Sequence, residues 1–115
     1  MRVTGLTFVG TRTSSRETMT RFVREVLGFA TADVSGIDAD LFELPDGSTF
    51  ALAVADETNG ERTVGFTADD LDAAIVELKA DVEVDDTIAA NERVRYVHFR
   101  APDGRLYELV EVLTA

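Results

Sequence analysis

The chain has 115 residues and a mass of 12.5 kDa, which is enough for one compact domain and too little for two. Its hydrophobic fraction of 45% and charged fraction of 29% are typical of a folded protein and exclude a disordered one. The formal net charge of −11 repels phosphate backbones and anionic lipid surfaces, so we expect neither nucleic acid nor a membrane as partner. A cationic ligand is compatible with this charge, although an acidic solubilising surface is the simpler explanation.

The chain contains no cysteine, which excludes disulfides, thiolate metal ligands and a cysteine nucleophile. Residues 1–13 lack the apolar core of a signal peptide, and no apolar run reaches the ~20 residues that span a bilayer. We therefore expect a cytoplasmic protein. The sequence has no P-loop, dinucleotide-binding glycine motif or nucleophile elbow.

The first half of the chain predicts a strand, a helix and three further strands. The first strand is predicted at residues 6–12. Ser14 and Glu17 have the spacing of a capping box, and Gly28 stands where a helix ends. The apolar residues between them form one helical stripe: Met19, Phe22, Val23, Val26 and Leu27. The remaining strands of this half are predicted at 31–35, 39–43 and 49–55.

The second half predicts the same order of elements. Asp69 is the predicted N-cap of its helix. The apolar stripe of this helix consists of Leu71, Ala74, Ile75 and Leu78. The strands are predicted at 63–67, 82–88, 94–100 and 106–112. The acidic residues within 81–86 lack the glycine and distal glutamate of an EF-hand loop, so they predict a solvated strand edge.

An internal repeat relates the two halves. The Pro-Asp-Gly sequence at 45–47 aligns with the one at 102–104 at an offset of 57 residues. Upstream, a Val-Gly pair at 9–10 aligns with another at 64–65 at an offset of 55. Each Pro-Asp-Gly sequence predicts a tight turn, because proline presets φ and glycine adopts positive φ. We therefore predict one domain made of two βαβββ modules, with boundaries at 1–58 and 59–115.

Two such modules, each with a Pro-Asp-Gly turn before its last strand, resemble the vicinal oxygen chelate superfamily. This group includes glyoxalase I, extradiol dioxygenases, fosfomycin-resistance enzymes and bleomycin-resistance proteins. The resemblance covers nearly the whole chain, and its best segments are 6–10, 18–29, 64–74 and 99–109. It implies an α+β fold in which the modules form a cupped, half-open barrel around a ligand cavity. It also implies a homodimer, in some members with modules exchanged between chains.

In metal-dependent members of the superfamily, the first and last strands of each module supply the metal ligands. The resemblance assigns these four positions to Phe8, Ala51, Thr63 and Glu108. Because phenylalanine and alanine have no donor atom, and divalent metals need about three or four ligands, no metal is expected. The resemblance then implies a protein that binds a small molecule, as bleomycin-resistance proteins do to confer antibiotic resistance. The alternative is a lyase, isomerase or dioxygenase that uses Glu108 and His98, with or without a divalent metal.

Glu108 and His98 are the candidate catalytic residues. Strand alternation puts Glu108 among the apolar residues of 106–112, where an unpartnered carboxylate is unfavourable. It either contacts a ligand, and is uncompensated in the empty protein, or pairs with an arginine such as Arg100. His98 is the only histidine, and it shares a strand face with Tyr96 and Arg100. Acid/base catalysis, ligand contact and neither role all stay open for it.

The predicted ligand-contacting set includes residues from both modules. Phe8 is expected to form an apolar or stacking wall. Arg12 either closes the mouth of the cavity or lies in solvent, and Gly65 either enlarges the cavity or allows close packing. The whole set is Phe8, Arg12, Ala51, Thr63, Gly65, Tyr96, His98, Arg100 and Glu108. A third possibility is an interaction protein whose cavity is filled.

Overall fold

The computed structural model of the chain describes residues 1–35, 37–54 and 61–113. Within these ranges the elements follow one another as β1 (Val3–Thr13), α1 (Arg16–Glu25), β2 (Ala30–Thr31), β3 (Asp40–Glu43), β4 (Thr49–Val54), β5 (Arg62–Ala68), α2 (Leu71–Lys79), β6 (Ala89–Ala90), β7 (Val94–Arg100) and β8 (Leu106–Val112). The strands form a single sheet in the order β2-β3-β4-β1-β5-β8-β7-β6.

The two halves of the sheet have the same topology. In each half the first strand pairs in parallel with the last, β1 with β4 and β5 with β8. The antiparallel pair β1–β5 joins the halves at the centre, and the sheet curls into a half-open barrel. The predicted α+β fold of two tandem βαβββ modules is therefore confirmed. The predicted module boundary at 58/59 lies outside the described residues.

The strand register follows the sequence repeat. Gly10 pairs with Ala51 in the first module, and Gly65 pairs with Glu108 in the second. Gly10 and Gly65 are 55 residues apart, and Ala51 and Glu108 are 57 residues apart, which are the two offsets of the repeat. Residues that correspond in the repeat thus occupy corresponding ladder positions, and Ala51 is the counterpart of Glu108.

Both Pro-Asp-Gly sequences form the predicted turns. Gly47 and Gly104 have φ of +87° and +80°, a conformation that favours glycine. Each donates its backbone N–H to the carbonyl oxygen three residues earlier, at 2.9 and 2.8 Å. Asp46 and Asp103 accept the backbone N–H two residues later, both at 2.9 Å. The same local hydrogen bonds therefore start β4 and β8.

The helices pack on one face of the sheet over two separate cores. The apolar stripe predicted for α2 is confirmed, because it packs on the core of the second module. In α1 only part of the predicted stripe packs: Val23 is buried and Met19 contacts the core, whereas Phe22, Val26 and Leu27 are exposed. No helix in the described ranges is long and apolar enough to cross a membrane.

Both predicted helix starts are wrong by one position. The N-cap of α1 is Ser15, one position after the predicted Ser14, and its side chain makes no capping hydrogen bond. The hydroxyl of Thr13 instead accepts the N–H of Ser15 at 3.0 Å. The N-cap of α2 is Asp70, which accepts from a backbone N–H at 3.1 Å, while the predicted cap Asp69 forms an ion pair with Arg2.

The two edge strands differ most from the sequence prediction. The strands predicted at 31–35 and 82–88 are wrong, because β2 and β6 contain only two residues each. Within 82–88 one residue, Val84, forms an isolated bridge to β7. Edge strands have a single neighbour, so less of their length is held in the ladder. The strands predicted at 94–100 and 106–112 are confirmed, and residue 55 of the predicted 49–55 strand lies outside the described residues.

Candidate functional site

The alternation of side chains along β7 distinguishes the face of the sheet that carries the helices from the opposite face. Val97 is buried in the α2 core, and Phe99 packs against the same core. Side chains alternate along a strand, so Tyr96, His98 and Arg100 lie on the opposite face. We call this face, opposite to the helices, the concave face.

His98 and Glu108 face each other across β7 and β8 and form the polar centre of the concave face. Nε2 of His98 lies 3.0 Å from Oε2 of Glu108, at hydrogen-bond distance. The side chain of Glu108 is 7% exposed and that of His98 is 35% exposed. When Nε2 carries the proton and donates it to the carboxylate, Nδ1 is left as the basic nitrogen. Among the described residues, Nδ1 has no hydrogen-bond partner.

Two expectations about Glu108 are corrected by this contact. The carboxylate is not uncompensated, because His98 is its partner. Arg100 is not that partner either. Its Nη1 donates to the carbonyl oxygen of Gly104 at 3.0 Å, and its Nη2 lies 3.5 Å from Oε1 of Glu61. The physical reason is register: His98 is the residue directly opposite Glu108, whereas Arg100 lies opposite Leu106.

Glu61 is a charged residue that the sequence prediction missed. Its Oε1 is buried and has no hydrogen-bond partner in the described part of the chain, with only the ion pair to Arg100 at 3.5 Å. Glu61 stands two residues before Thr63, and strand alternation would have assigned it to the same face.

Tyr96 packs against the polar centre. Its ring lies 5.6 Å from the ring of His98 in an edge-on arrangement at 79°. Burial raises the pKa of the Tyr96 phenol above its ordinary value, and the negative charge of Glu108 raises it further. Tyr96 therefore stays neutral and supports the ring of His98 as an aromatic wall.

Two glycines of the central strands, Gly10 and Gly65, lie beneath neighbouring side chains. A Cβ on Gly65 would lie 2.9 Å from Cγ of Glu108 and 2.9 Å from Cβ of Phe8. A Cβ on Gly10 would lie 3.0 Å from Cζ of Phe8. Gly65 therefore allows close packing and does not enlarge the cavity, because neighbouring side chains fill the space above it.

A cleft of about 430 Å³ opens beside the polar centre. Its lining residues are Arg12, Glu83, Val84, Asp85, His98, Phe99, Arg100 and Leu106. It brings together three residues of the predicted set, Arg12, His98 and Arg100. The other predicted residues do not line it; Ala51 and Glu108 are buried. The segment 83–85 was missed because its residues were interpreted only as a solvated edge.

A second, larger cleft of about 550 Å³ lies beside α1 and β2. It is lined by Glu17, Thr20, Arg21, Arg24, Glu25, Phe29, Ala30 and Thr31. None of the predicted site residues is among them. The cleft beside His98 is smaller but contains a buried acid–imidazole pair at its border, so we take it as the candidate site.

The residues at the four positions that the resemblance assigns to metal ligands do not fit a divalent metal. Phe8 and Ala51 have no donor atom, Thr63 has a neutral hydroxyl, and Glu108 is bonded to His98. In the described part of the chain, no three His, Cys, Asp or Glu side chains lie close enough to hold one ion. A divalent transition metal needs about three or four nitrogen, oxygen or sulfur ligands.

Comparison with solved structures identifies the fold. The methylmalonyl-CoA epimerase of Mycobacterium tuberculosis is similar at 22% identity, over 97% of this chain and 90% of its own, with a TM-score of 0.77. A hypothetical protein of Bacillus halodurans C-125 is similar at 16% identity, over 96% of both chains, with a TM-score of 0.75. This chain has the vicinal oxygen chelate fold.

A third similar structure contains a ligand. A variant of the Streptomyces coelicolor methylmalonyl-CoA epimerase, in complex with 2-nitronate-propionyl-CoA, is 18% identical over 98% of this chain and 100% of its own, with a TM-score of 0.71. No family model and no curated protein matches the sequence. At these identities the similarity extends to the vicinal oxygen chelate fold and not to an activity.

Proposed function

We propose that this protein binds a small organic molecule in the cleft beside the His98–Glu108 pair, without a metal ion. The pair itself carries the proposal. A buried carboxylate holds an imidazole ring at the border of a cleft of about 430 Å³, and the other ring nitrogen has no hydrogen-bond partner among the described residues. Concave clefts with a few fixed polar groups among apolar walls are the usual form of a small-molecule site.

The walls of the cleft favour a ligand with an apolar or aromatic body. The apolar residues that line the cleft are Val84, Phe99 and Leu106; Leu106 lies opposite Arg100 on the concave face, whereas Val84 and Phe99 also pack against the α2 core. More specifically, we propose that the protein sequesters a drug or metabolite, as bleomycin-resistance proteins do. This proposal accounts for a cavity on this fold whose four metal positions lack a ligand set.

A thermal-shift screen of aromatic and cationic metabolites and drugs tests the proposal. A ligand that binds only the folded protein raises Tm in proportion to the logarithm of its concentration over Kd. We expect the same compounds to raise Tm with EDTA and with added Ni²⁺, Zn²⁺, Mn²⁺ or Fe²⁺. Tight stoichiometric binding of one of these metals, or ligand binding that requires it, would overturn the proposal.

A second candidate function is isomerisation by proton transfer, and one observation favours it. An imidazole whose Nε2–H is held by a carboxylate has a basic Nδ1, which is the arrangement of a general base. Nδ1 would take a proton from a carbon next to a carbonyl, with the C–H electron pair forming an enolate. Return of a proton to that carbon completes the reaction. The epimerase names of two similar structures agree with this class of reaction.

Deuterium uptake separates the two candidates. Methylmalonyl-CoA and a glutathione hemithioacetal are incubated with the protein in D₂O and followed by proton NMR. An isomerase exchanges the acidic C–H for deuterium, and His98→Gln abolishes the exchange while the fold persists. A binding protein protects or ignores the C–H. Exchange that is unchanged in His98→Gln would exclude the second candidate.

A further inference from the structure

The two arginines that line the cleft differ in their partners. Arg100 is held by the carbonyl of Gly104 and by Glu61. The guanidinium of Arg12 has no ion pair or hydrogen bond with any residue in the described ranges, and only its backbone N–H is bonded, to the carbonyl of Glu61 at 3.0 Å. Among the residues that the structure describes, Arg12 is therefore the cationic group of the cleft whose guanidinium has no partner.

The position of Arg12 distinguishes it from other arginines without a described partner. Arg62 and Arg105 also lack one, but neither lines the cleft. Arg12 follows Phe8 and Gly10 at every second position of β1, so its side chain leaves the sheet on the concave face. Its guanidinium and the imidazole of His98 thus border the same volume.

We infer that Arg12 binds an oxyanion of the ligand, so that the site takes organic acids rather than cations; this rests on the proposed function. A planar guanidinium donates two parallel hydrogen bonds to a carboxylate or phosphate. An acid bound there would direct its apolar body toward Leu106 and its middle toward His98. The class of ligand is an apolar or aromatic organic anion.

The acidic groups at the cleft do not oppose this assignment. Glu83 and Asp85 line its rim but are exposed, so water and salt screen their charges. Glu108 is bonded to His98, and Glu61 is paired with Arg100. The net charge of −11 is a property of the whole chain.

Four probes of one shape and different charge test the inference: phenylacetate, phenyl phosphate, phenylacetamide and phenethylammonium. The only histidine of the chain reports binding, because its ring protons give single NMR signals beside the cleft. We expect the anions to shift these signals at lower concentrations than the amide, and phenethylammonium to bind least. The relative affinities of phenylacetate and phenyl phosphate then assign the oxyanion as a carboxylate or a phosphate.

Variants of Arg12 and of the control residue Arg62 test whether Arg12 binds the anion. Arg12→Gln should weaken binding of the better anion by roughly tenfold or more, the loss expected for a hydrogen bond to a charged group. Arg62→Gln removes the same charge from the opposite face of the neighbouring strand and should change affinity by less than about twofold. Arg12→Lys should give an intermediate affinity, since it keeps the charge and loses the planar fork.

The outcomes separate failure of the inference from failure of the proposed function. Equal binding of the amide or tighter binding of phenethylammonium overturns the anion assignment and leaves the proposed site intact. Equal losses in Arg12→Gln and Arg62→Gln overturn the role of Arg12. If no probe moves the His98 signals, both the inference and the proposed cleft are contradicted.

Discussion

Glu108 lies directly opposite His98 in the β7–β8 ladder, and Oε2 of the one is 3.0 Å from Nε2 of the other. The glycine at position 65 makes this possible, because the side chain of Glu108 lies against the space where a Cβ would stand. The side chain of Glu108 packs against Gly65 and its carboxylate is bonded to the imidazole of His98, so it has little freedom to move. The ring of His98 is thereby held at the border of the cleft.

The His98–Glu108 contact should be visible in folding stability. His98→Leu removes the described partner of a buried carboxylate, so we expect the free energy of unfolding at pH 7 to fall by about 1–3 kcal/mol. Glu108→Gln keeps an acceptor for Nε2 and should lose less than about 1 kcal/mol. Urea denaturation followed by circular dichroism measures both.

A double variant tests whether the two residues act together. His98→Leu combined with Glu108→Leu removes both polar groups, so no buried charge is left without a partner. We expect the combined loss to be smaller than the sum of the losses measured for His98→Leu and Glu108→Leu as single variants. Strictly additive losses would mean that the contact is not energetically coupled.

Gly65→Ala should destabilise the protein through overpacking. The new Cβ would lie 2.9 Å from Cβ of Phe8, which is close to the backbone and cannot move aside easily. Overpacking of this kind costs about 1–3 kcal/mol. Gly5→Ala is the matched control, because Gly5 lies on the neighbouring strand β1 and a Cβ there would have no atom within 4 Å. Thermal unfolding should show a lower Tm for Gly65→Ala only; equal Tm values would contradict the close packing.

Asp40 should make the first module sensitive to acid. The side chain of Arg16 donates to both carboxylate oxygens at 3.2 Å, and Thr20 donates as well. The hydrogen bonds from Arg16, and then that from Thr20, lower the pKa of Asp40 below its ordinary value. Because the folded-state pKa is the lower one, the carboxylate stabilises the fold above the ordinary aspartate pKa of about 3.9. This contribution is lost as the pH falls through the folded-state value.

Asp40→Asn removes that pH dependence. We expect the variant to be less stable than the parent at neutral pH and to lose less stability on acidification, so that the two curves converge at low pH. Asp33→Asn changes an exposed aspartate without a described partner and serves as control. Urea midpoints measured from pH 7 down to pH 2 give the curves. Parallel curves for the parent and Asp40→Asn would contradict the prediction.

We also predict a homodimer. The edge strands β2 and β6 contain two residues each, which is too few for extended strand pairing between chains. The exposed apolar residues Phe22, Val26 and Leu27 of α1 and its C-terminal end are a better candidate surface. Sedimentation velocity at micromolar concentration should give twice the mass of 12.5 kDa. A monomer would contradict the prediction.

Two matched variants test which surface forms the dimer. Val26→Asp should favour the monomer, because it buries a charge in the proposed contact. Val76→Asp introduces the same charge on α2, at a residue that is 73% exposed, and should leave the mass unchanged. Dissociation by both variants or by neither would exclude the α1 surface.

Local chemistry and strand periodicity made much of the fold predictable from sequence. The Pro-Asp-Gly turns need only proline, aspartate and glycine in order, and both form with positive φ at the glycine. The period of two along β7 separated Val97 from His98 without knowledge of any partner. The repeat offsets anticipated that Ala51 and Glu108 occupy corresponding positions. The turns and the strand alternation depend on residues close together in the chain, and the correspondence of Ala51 with Glu108 depends on the repeat.

Contacts between distant segments were decided by the tertiary structure. Arg100 and His98 are both on the concave face, and only the β7–β8 register determines that His98 meets Glu108. The lengths of β2 and β6 depend on how much of a neighbouring strand each can reach. The exposure of Val26 depends on the extent of the core beneath α1. The sequence by itself determined which side chains share a face, whereas cross-strand register decided which of them touch, because pairing joins residues that are far apart in the chain.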